Sequence, residues 1–451
     1  MQKVHMLGIG GAGMAGLAQL LHQKGVRISG SDREKSTTAQ RLTEQGIPVF
    51  FDDDPTPLWE ADQCIYSAAI EKSHPLRRKA EARMPTLSRG EAMGLLSRSY
   101  STVAAVAGTH GKTTVTGMLT QIVQQSGNDP SVLIGGHLPS IDGNGHHGRT
   151  DLLICEACEF AGSFLHLKRN LGILLNVDND HLECYGSMEG LKNAFQQFTD
   201  GCDRILVYSE NEAAMEVTAH HPHRFTYGQQ PTDHFRLLSA DGQNGFYTVT
   251  LQCQGQSFSP IRLCVPGFHN ALNALAAAGA ALLLGCKPES VSSALASFSG
   301  VKRRFEIRYR DEQVVWADDY AHHPQEIAAV LTAAKQMGFS RVTALFQPFT
   351  YSRTKLLAKE FAHALRFADQ VILTPVMGGR EPYDPDVTAQ TISRYLPNAQ
   401  VGKDFSQCAE LAATAVQKGE LILTMGCGNV YRCGEMIELL LKDRYDFHKI
   451  T

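Results

Sequence analysis

Long apolar runs are missing from this chain. No segment offers about 18 consecutive apolar residues, and Met1 to Gly8 carry no cationic stretch leading into an apolar one. A membrane-spanning helix and a secretory leader are therefore not expected, and the sequence reads as a soluble, cytoplasmic protein. Charge of one sign is scarce too, with a formal net charge of only −4 and both signs interspersed. No field builds up that would favour nucleic acid or an anionic membrane, so any anionic ligand must be gripped by local groups. The 11 cysteines are an odd number scattered over a long chain, which argues against a secreted disulfide framework. Only Cys155 and Cys158 stand at the Cys-x-x-Cys spacing. Without a second pair they read as two small side chains beside a strand, not as a zinc or redox centre. Fixed-period repeats and low-complexity tracts are absent as well.

What is present is a chain of 451 residues, 43% hydrophobic and 20% charged, within the ordinary globular range. That length exceeds what one hydrophobic core serves, so several domains are expected, with three as the starting expectation. Lys3 to Ile9 reads as a short buried strand, and Gly10-Gly11-Ala12-Gly13 followed by the apolar-periodic Met14 to Gln23 reads as a turn into a helix. Val26 to Gly30 and Gln63 to Ser67 continue as strands, giving a first doubly wound α/β unit. Near Ser99 the pattern restarts: Val103 to Ala107 is a buried strand entering a second glycine turn and a helix from about Thr113 to Ser126. Leu152 to Ile154 and Leu171 to Val177 follow as strands, each with acidic or histidine residues at its carboxyl end, where open parallel sheets bind ligands. The strand-like Phe246 to Leu251 and an Ala/Leu-rich helix from Asn270 to Leu284 come next. A third restart after Gly300 brings strands at Val314 to Ala317, Val342 to Phe346, Val371 to Thr374 and Leu421 to Thr424.

The strongest chemical signal is Gly108-Thr109-His110-Gly111-Lys112-Thr113-Thr114, set between a buried strand and a helix as a phosphate-binding loop requires. Glycines let backbone N–H groups approach phosphate oxygens, and the helix N-terminus adds positive potential. Lys112 reaches the terminal phosphates, and the Thr113 hydroxyl suits Mg²⁺. The spacing is a variant one, with Val106 where the general pattern has glycine. A magnesium partner is expected from a neighbouring strand, and Glu156 stands at the end of one, with Glu159 the second choice. By the same logic His181, in Asn176-Val177-Asp178-Asn179-Asp180-His181, is a candidate ligand of a second ion, against the alternative of a structural histidine.

The first glycine turn, Gly8-x-Gly10-Gly11-x-Gly13 with Asp32 downstream, fits a dinucleotide fingerprint. It serves equally to hold NAD, to hold another diphosphate such as a UDP-sugar, or to pack strand on helix. Because the phosphate loop already supplies ATP, the first domain is assigned the acceptor substrate. His269, Asn270 and Asn273 cluster at a helix start, where they would read an adenine edge or cap the helix. Arg303, Arg304 and Arg353 offer planar donor forks for phosphates or carboxylates. His146-His147 and His220-His221 lie in polar segments and receive no role.

The variant loop, Pro266-Gly267-Phe268-His269-Asn270 with Asn273, and Asp180-His181, in this order, resemble the Mur ligase family over essentially the whole chain. The resemblance implies three domains, each with a mainly parallel sheet: a Rossmann-like UDP-sugar domain over 1–98, a P-loop ATPase domain over 99–300 and a Rossmann-like amino-acid domain over 301–451. Gly8 to Met14, Ser67 to Ile70, Ser163-Phe164-Leu165, Gly300 to Phe305, Asp318 to Pro324 and Gln347-Pro348 look like the branch that adds L-alanine to UDP-N-acetylmuramate. By that likeness Lys112, Glu156 and His181 are catalytic, and Thr113, Thr114, Glu156 and His181 hold Mg²⁺. Gly108 to Thr114 with His269, Asn270, Asn273, Arg304 and Asp319 would hold ATP. Gly8, Gly10, Gly11, Gly13, Met14, Asp32, Ser67 and Ala68 would hold the UDP-sugar, and Tyr320, His322 and Arg353 the amino acid.

Two departures from the family pattern stand out. Cys158 replaces an acid in Glu-Ala-Asp-Glu, and Phe349-Thr350 replaces His-Arg before the tyrosine, leaving Arg353 as the carboxylate clamp. Gln196 stands where sister ligases carry a carbamylated lysine, in keeping with the alanine-adding branch. The expected protein is a monomer or homodimer acting on small molecules. The readings that compete are a recycling ligase adding L-Ala-γ-D-Glu-meso-diaminopimelate to the same UDP-sugar, the glutamate- or diaminopimelate-adding enzymes, an NAD-dependent oxidoreductase, and a non-catalytic nucleotide-gated binding protein.

Overall fold

The computed structural model describes residues 2–51, 56–179, 182–253, 255–379 and 381–450, and they form three sheets flanked by helices. The first sheet contains β1 (Lys3–Leu7), β2 (Arg27–Ser31), β3 (Val49–Phe50), β4 (Gln63–Tyr66) and β5 (Thr86–Ser88), in the order β3-β2-β1-β4-β5. All its pairings are parallel. The order reverses at β1, so the Gly8 to Gly13 turn leaves the sheet at its topological switch point, where such sheets bind ligands.

The second sheet is built from β6 (Thr102–Ala107), β7 (Ser131–Leu138), β8 (Gly143–His146), β9 (Leu152–Glu156), β10 (Arg169–Leu174) and β11 (Cys202–Tyr208). It continues through β12 (Arg224–Gly228), β13 (Phe235–Gln243), β14 (Phe246–Cys253), β15 (Gln256–Ser257) and β16 (Ile261–Arg262). Its path runs β15-β14-β13-β12-β11-β10-β6-β9-β7-β8, with β16 against β14. Val103 to Ala107 are each 0% exposed, which is why this strand, parallel to a neighbour on either side, is an unbroken run of Val and Ala.

The third sheet comprises β17 (Glu306–Arg310), β18 (Val314–Asp319), β19 (Arg341–Phe346), β20 (Gln370–Leu373), β21 (Gln400–Val401) and β22 (Glu420–Met425). Its order is β17-β18-β22-β19-β20-β21, parallel except at the β17 edge. The strand expected to stop at Ala317 continues to Asp319, so Asp318 and Asp319 sit within the sheet's carboxyl end.

The chain divides into two compact units. One is Met1–Ser239, Val249–Ile261 and Leu272–Val301; the other is Ala240–Thr248, Arg262–Ala271 and Lys302–Thr451. Inside the first unit, helix Ala12–Gln23 lies on the β7–β8 hairpin with almost nothing between the backbones. A Cβ on Gly16 would stand 2.5 Å from the Asn144 carbonyl oxygen, and one on Gly145 would overlap the carbonyl oxygen of Gly16. Gln19 Oε1 accepts the backbone N–H groups of Asn144 (2.9 Å) and Gly145 (3.0 Å), and Gln23 Oε1 accepts that of His147 (2.7 Å). Lys168 Nζ donates to the carbonyls of Tyr100 (2.7 Å) and Ser101 (2.9 Å), bracing the segment that joins the first two sheets.

Candidate active site

The phosphate loop leaves β6 and enters helix Lys112–Gln125 through two glycines in left-handed backbone conformations, Gly108 (φ +138°) and Gly111 (φ +86°). Space requires glycine there as well. A Cβ on Gly108 would lie 3.1 Å from the backbone N and O of Asn176, and one on Gly111 would lie 2.8 Å from Asn273 Oδ1. The loop is cross-braced by the segment after β10. His110 N–H donates to Asn176 Oδ1 (2.8 Å), Thr109 N–H to the Asn176 carbonyl (3.2 Å), and Asp178 N–H to Thr109 Oγ1 (2.9 Å). Sequence reasoning gave Asn176 and Asp178 no role in shaping the loop. Their position just past a strand beside β6 was the available signal.

Lys112 Nζ donates to the Gly108 carbonyl, to the Thr109 carbonyl at 3.0 Å and to Glu159 Oε1 at 3.1 Å. Burial by itself would lower the Lys112 pKa. The Glu159 carboxylate beside it overcomes that, and the pKa is raised. Glu156 stands at the end of β9, next to β6, and its Oε1 accepts the Gly135 N–H at 2.6 Å. A Cβ on Gly135 would come within 2.7 Å of Glu156 Oε2, so this glycine makes the room the carboxylate occupies.

Thr113 is buried at 5% exposure and opens the helix with Thr114. These hydroxyls and the Glu156 carboxylate are hard oxygen donors of the kind Mg²⁺ takes, so the residues present fit that ion. Among the described residues no three His, Cys, Asp or Glu side chains are grouped so as to hold a metal ion. His181, the expected second ligand, lies outside the described residues, as does Asp180. Cys155 is buried and its thiol is pushed up to about 12 by burial; Cys158 is half-buried and shifted in the same direction.

At the first turn, Gly8 has φ +75° and Ser67 Cβ stands 3.1 Å from where its Cβ would be. Asp32 faces inward: Oδ2 accepts Gly10 N–H at 2.8 Å and Oδ1 accepts Glu34 N–H at 3.1 Å. Gly11 N–H closes the turn on the Gly8 carbonyl at 3.3 Å, Ala68 is exposed, and Met14 is 2% exposed in the hydrophobic core. A Cβ on Gly13 would meet Arg89 Nη1 at 2.9 Å, which brings to the turn a guanidinium that the sequence reading did not single out.

The second unit gathers the other expected residues around the carboxyl ends of β18 and β22. Arg303 Nε donates to Asp318 Oδ2 at 2.8 Å, and its Nη atoms donate to the carbonyls of Gly428 (3.1 Å) and Gly426 (2.8 Å). Arg303 and Arg304 both lie over the Tyr320 ring, at 5.1 and 5.2 Å from its centroid. Asp319 accepts the N–H groups of Phe305 and Ala321, both at 2.7 Å; burial raises its pKa to about 6 against the opposing pull of Arg304. His269 is lowered to about 4 by burial and by Arg304, and Asn270 Nδ2 donates to the Pro266 carbonyl at 2.7 Å. His322 stands edge-on to Tyr320 with ring centroids 5.6 Å apart and Nδ1 3.3 Å from Glu326 Oε2. Arg353 belongs to helix Tyr351–Leu356, and its charge is the strongest pull against burial on the Cys427 thiol. Thr350 caps that helix, its Oγ1 accepting Arg353 N–H at 3.4 Å, with φ +62° and ψ 142°. For a β-branched residue this is a strained backbone region, in which glycine sits at ease.

A glycine loop cradling a half-buried lysine, with a carboxylate at the next strand end, defines an α/β enzyme that handles a nucleotide's phosphates. Its family follows from comparison with known proteins: the chain belongs to the Mur ligase family. Three descriptions match in series: "Mur ligase family, catalytic domain" over residues 3–101, "Mur ligase middle domain" over 106–281 and "Mur ligase, glutamate ligase domain" over 303–428. It is 35% identical to the UDP-N-acetylmuramate–L-alanine ligase of Acetivibrio thermocellus, covering 98% of this chain and 96% of that one. The corresponding ligase of Saccharopolyspora erythraea is 37% identical, with 97% and 93% covered. The solved UDP-N-acetylmuramate–alanine ligase of Thermotoga maritima superposes with a TM-score of 0.83 at 28% identity, over 99% of this chain and 100% of that one. A murein peptide ligase of Psychrobacter arcticus shares the fold, with a TM-score of 0.76 at 20% identity over 98% and 99% of the two chains. Among the described residues no helix is long and apolar enough to cross a membrane.

Proposed function

We propose that this ligase joins L-alanine to the lactyl carboxylate of UDP-N-acetylmuramate at the expense of ATP, releasing ADP and phosphate in peptidoglycan precursor synthesis. The observation that carries the ATP-driven step is Lys112 in its glycine loop with Glu156 held at the adjacent strand end by Gly135. The choice of L-alanine rests on the full-length likeness to alanine-adding relatives. Residues 1–98 take the UDP-sugar, 99–300 the ATP and 301–451 the amino acid. Asp32 shapes the first turn by accepting Gly10 N–H, and a carboxylate has further lone pairs for a ligand hydroxyl.

A carboxylate does not acylate an amine unaided. Its oxygen attacks the γ-phosphorus, ADP leaves, and an acyl phosphate forms. The alanine nitrogen then attacks the carbonyl carbon and gives up a proton, and phosphate departs. Lys112 and the loop N–H groups orient the phosphates and stabilise charge on them, which is the main work in phosphoryl transfer. Thr113, Thr114, Glu156 and His181 would hold Mg²⁺, which would supply further charge neutralisation when bound. In the second unit Arg353, Tyr320 and His322 take the amino acid, with Arg353 on its carboxylate, while Arg304 and Asp319 serve the nucleotide.

The test is ADP release and product mass with ATP, Mg²⁺ and UDP-N-acetylmuramate, offering L-alanine, glycine, L-serine or the L-Ala-γ-D-Glu-meso-diaminopimelate tripeptide separately. A product heavier by one alanine residue, lost in Lys112→Ala, is the expected result. Preference for the tripeptide would make the protein a recycling ligase, and absence of turnover with all four would reject the substrate assignment.

A further inference from the structure

The Lys112 ammonium has three N–H donors, and the structure gives each an acceptor: two carbonyls of its own loop and the Glu159 carboxylate. The ion pair is close, with Nζ to Oε2 at 3.0 Å, and deeply placed, with the two side chains 15% and 2% exposed. Glu159 is held there by its backbone. Its carbonyl accepts Gly162 N–H at 2.9 Å and also the Tyr185 hydroxyl, within the turn where Ala161 (φ +52°) and Gly162 (φ +67°) take left-handed conformations. The carboxylate therefore cannot follow the lysine far.

We infer that Glu159 is a resident counter-ion of Lys112 which nucleotide phosphates must displace, so that this side chain opposes nucleotide binding. The inference rests on the phosphate-loop reading. For Lys112 to turn to a phosphate it must leave Glu159, and a carboxylate shielded from water is then left close to charges of its own sign. Replacing the carboxylate by an amide of the same shape removes both obstacles. The glutamate thus sets how weakly the empty loop holds nucleotide, and it is a positioning residue because it acts through Lys112.

The experiment is calorimetric titration of ADP in EDTA, where any metal role is silent, into the full-length wild type, Glu159→Gln, Glu159→Asp and Lys112→Ala. Glu159→Gln is expected to tighten ADP by about tenfold, equivalent to about 1.4 kcal/mol. The shorter Glu159→Asp, which keeps the charge but not the reach, should tighten it less, and it also covers the case in which the amide variant does not fold. Unchanged or weaker ADP binding in both variants would overturn the inference while leaving the loop reading intact. A wild type whose ADP binding is unaffected by Lys112→Ala would instead overturn the loop reading, and the inference with it.

Discussion

Gly135 is the position at which the geometry of the site can be separated from the stability of the fold. It lies on β7, is exposed, and is not among the residues with positive φ, so alanine there meets no backbone strain. The added methyl would nevertheless stand 2.7 Å from Glu156 Oε2, 3.1 Å from Oε1 and 3.2 Å from Cδ. Ordinary contact needs about 3.4 Å or more, so the whole carboxylate must retreat by an appreciable fraction of an ångström, strained against its hydrogen bond from Gly135 N–H. Displacement on the order of 1 Å at a reacting centre costs up to about a hundredfold in rate, or about 2.7 kcal/mol of barrier. Folding stability should move the other way or not at all, since an alanine restricts the unfolded chain more than glycine does, by about 0.4 to 1 kcal/mol. The assay is steady-state ADP release at several Mg²⁺ concentrations, with a thermal melt alongside. Gly135→Ala is expected to lose about ten- to hundredfold in kcat/KM and to need more Mg²⁺ for half-saturation, while melting no lower than wild type. A variant with wild-type kcat/KM and Mg²⁺ dependence would refute the placement of Glu156 as the metal-holding carboxylate.

Other consequences are as direct. Lys112→Met strips Glu159 of its cation and should cost about 3 kcal/mol of stability as well as turnover, whereas adding Glu159→Gln should restore the denaturant midpoint and leave the enzyme dead. His5, 1% exposed between Ser29 Oγ and Ser31 Oγ, has its pKa lowered by burial from 6.5 to about 4. Between those values the unfolded chain binds the extra proton, so stability is fully present above about pH 6.5 and falls toward pH 4; His5→Gln should flatten that acid limb in denaturant titrations. Asp319 has the opposite sign. Its pKa, raised from 3.8 to about 6, favours the folded state at low pH and loses that contribution as pH rises through 6, so Asp319→Asn should remove that pH dependence while costing about 1 to 3 kcal/mol, because the amide can accept only one of the Phe305 and Ala321 N–H groups. Thr350→Val removes the hydroxyl that caps the Arg353 helix and should raise KM for alanine but not for ATP, with Thr350→Ser restoring it; an equal rise for both substrates would count against that role.

The sequence made the three sheets and the two glycine turns readable because each rests on local pattern: buried apolar runs that end in glycine, and helices that begin there. Lys112 and Glu156 were legible for the same reason, one inside the loop and the other at a strand end. What surrounds them was not. Glu159 finds its lysine across 47 residues of chain and Gly135 meets Glu156 across 21, separations over which no periodicity speaks. Glu159 had been the second choice for metal, and only its side chain's direction reveals the ion pair. The strand β8 was not legible because Gly143-Asn144-Gly145 resembles a loop; it pairs antiparallel with β7, and its glycines are there because a helix lies against it too closely for side chains. Thr350 was visible as a departure from the family pattern, but its cap and its strained backbone are three-dimensional facts.

The seat of helix Ala12–Gln23 on the β7–β8 hairpin bears on how the protein can change over generations. Where carbonyl meets α-carbon at Gly16 and Gly145, no substitution adds a side chain without parting the helix from the hairpin. Gln19, bonded to both hairpin amides, ties its own identity to theirs. These positions are therefore coupled, and a change at one of them calls for a compensating change at the others.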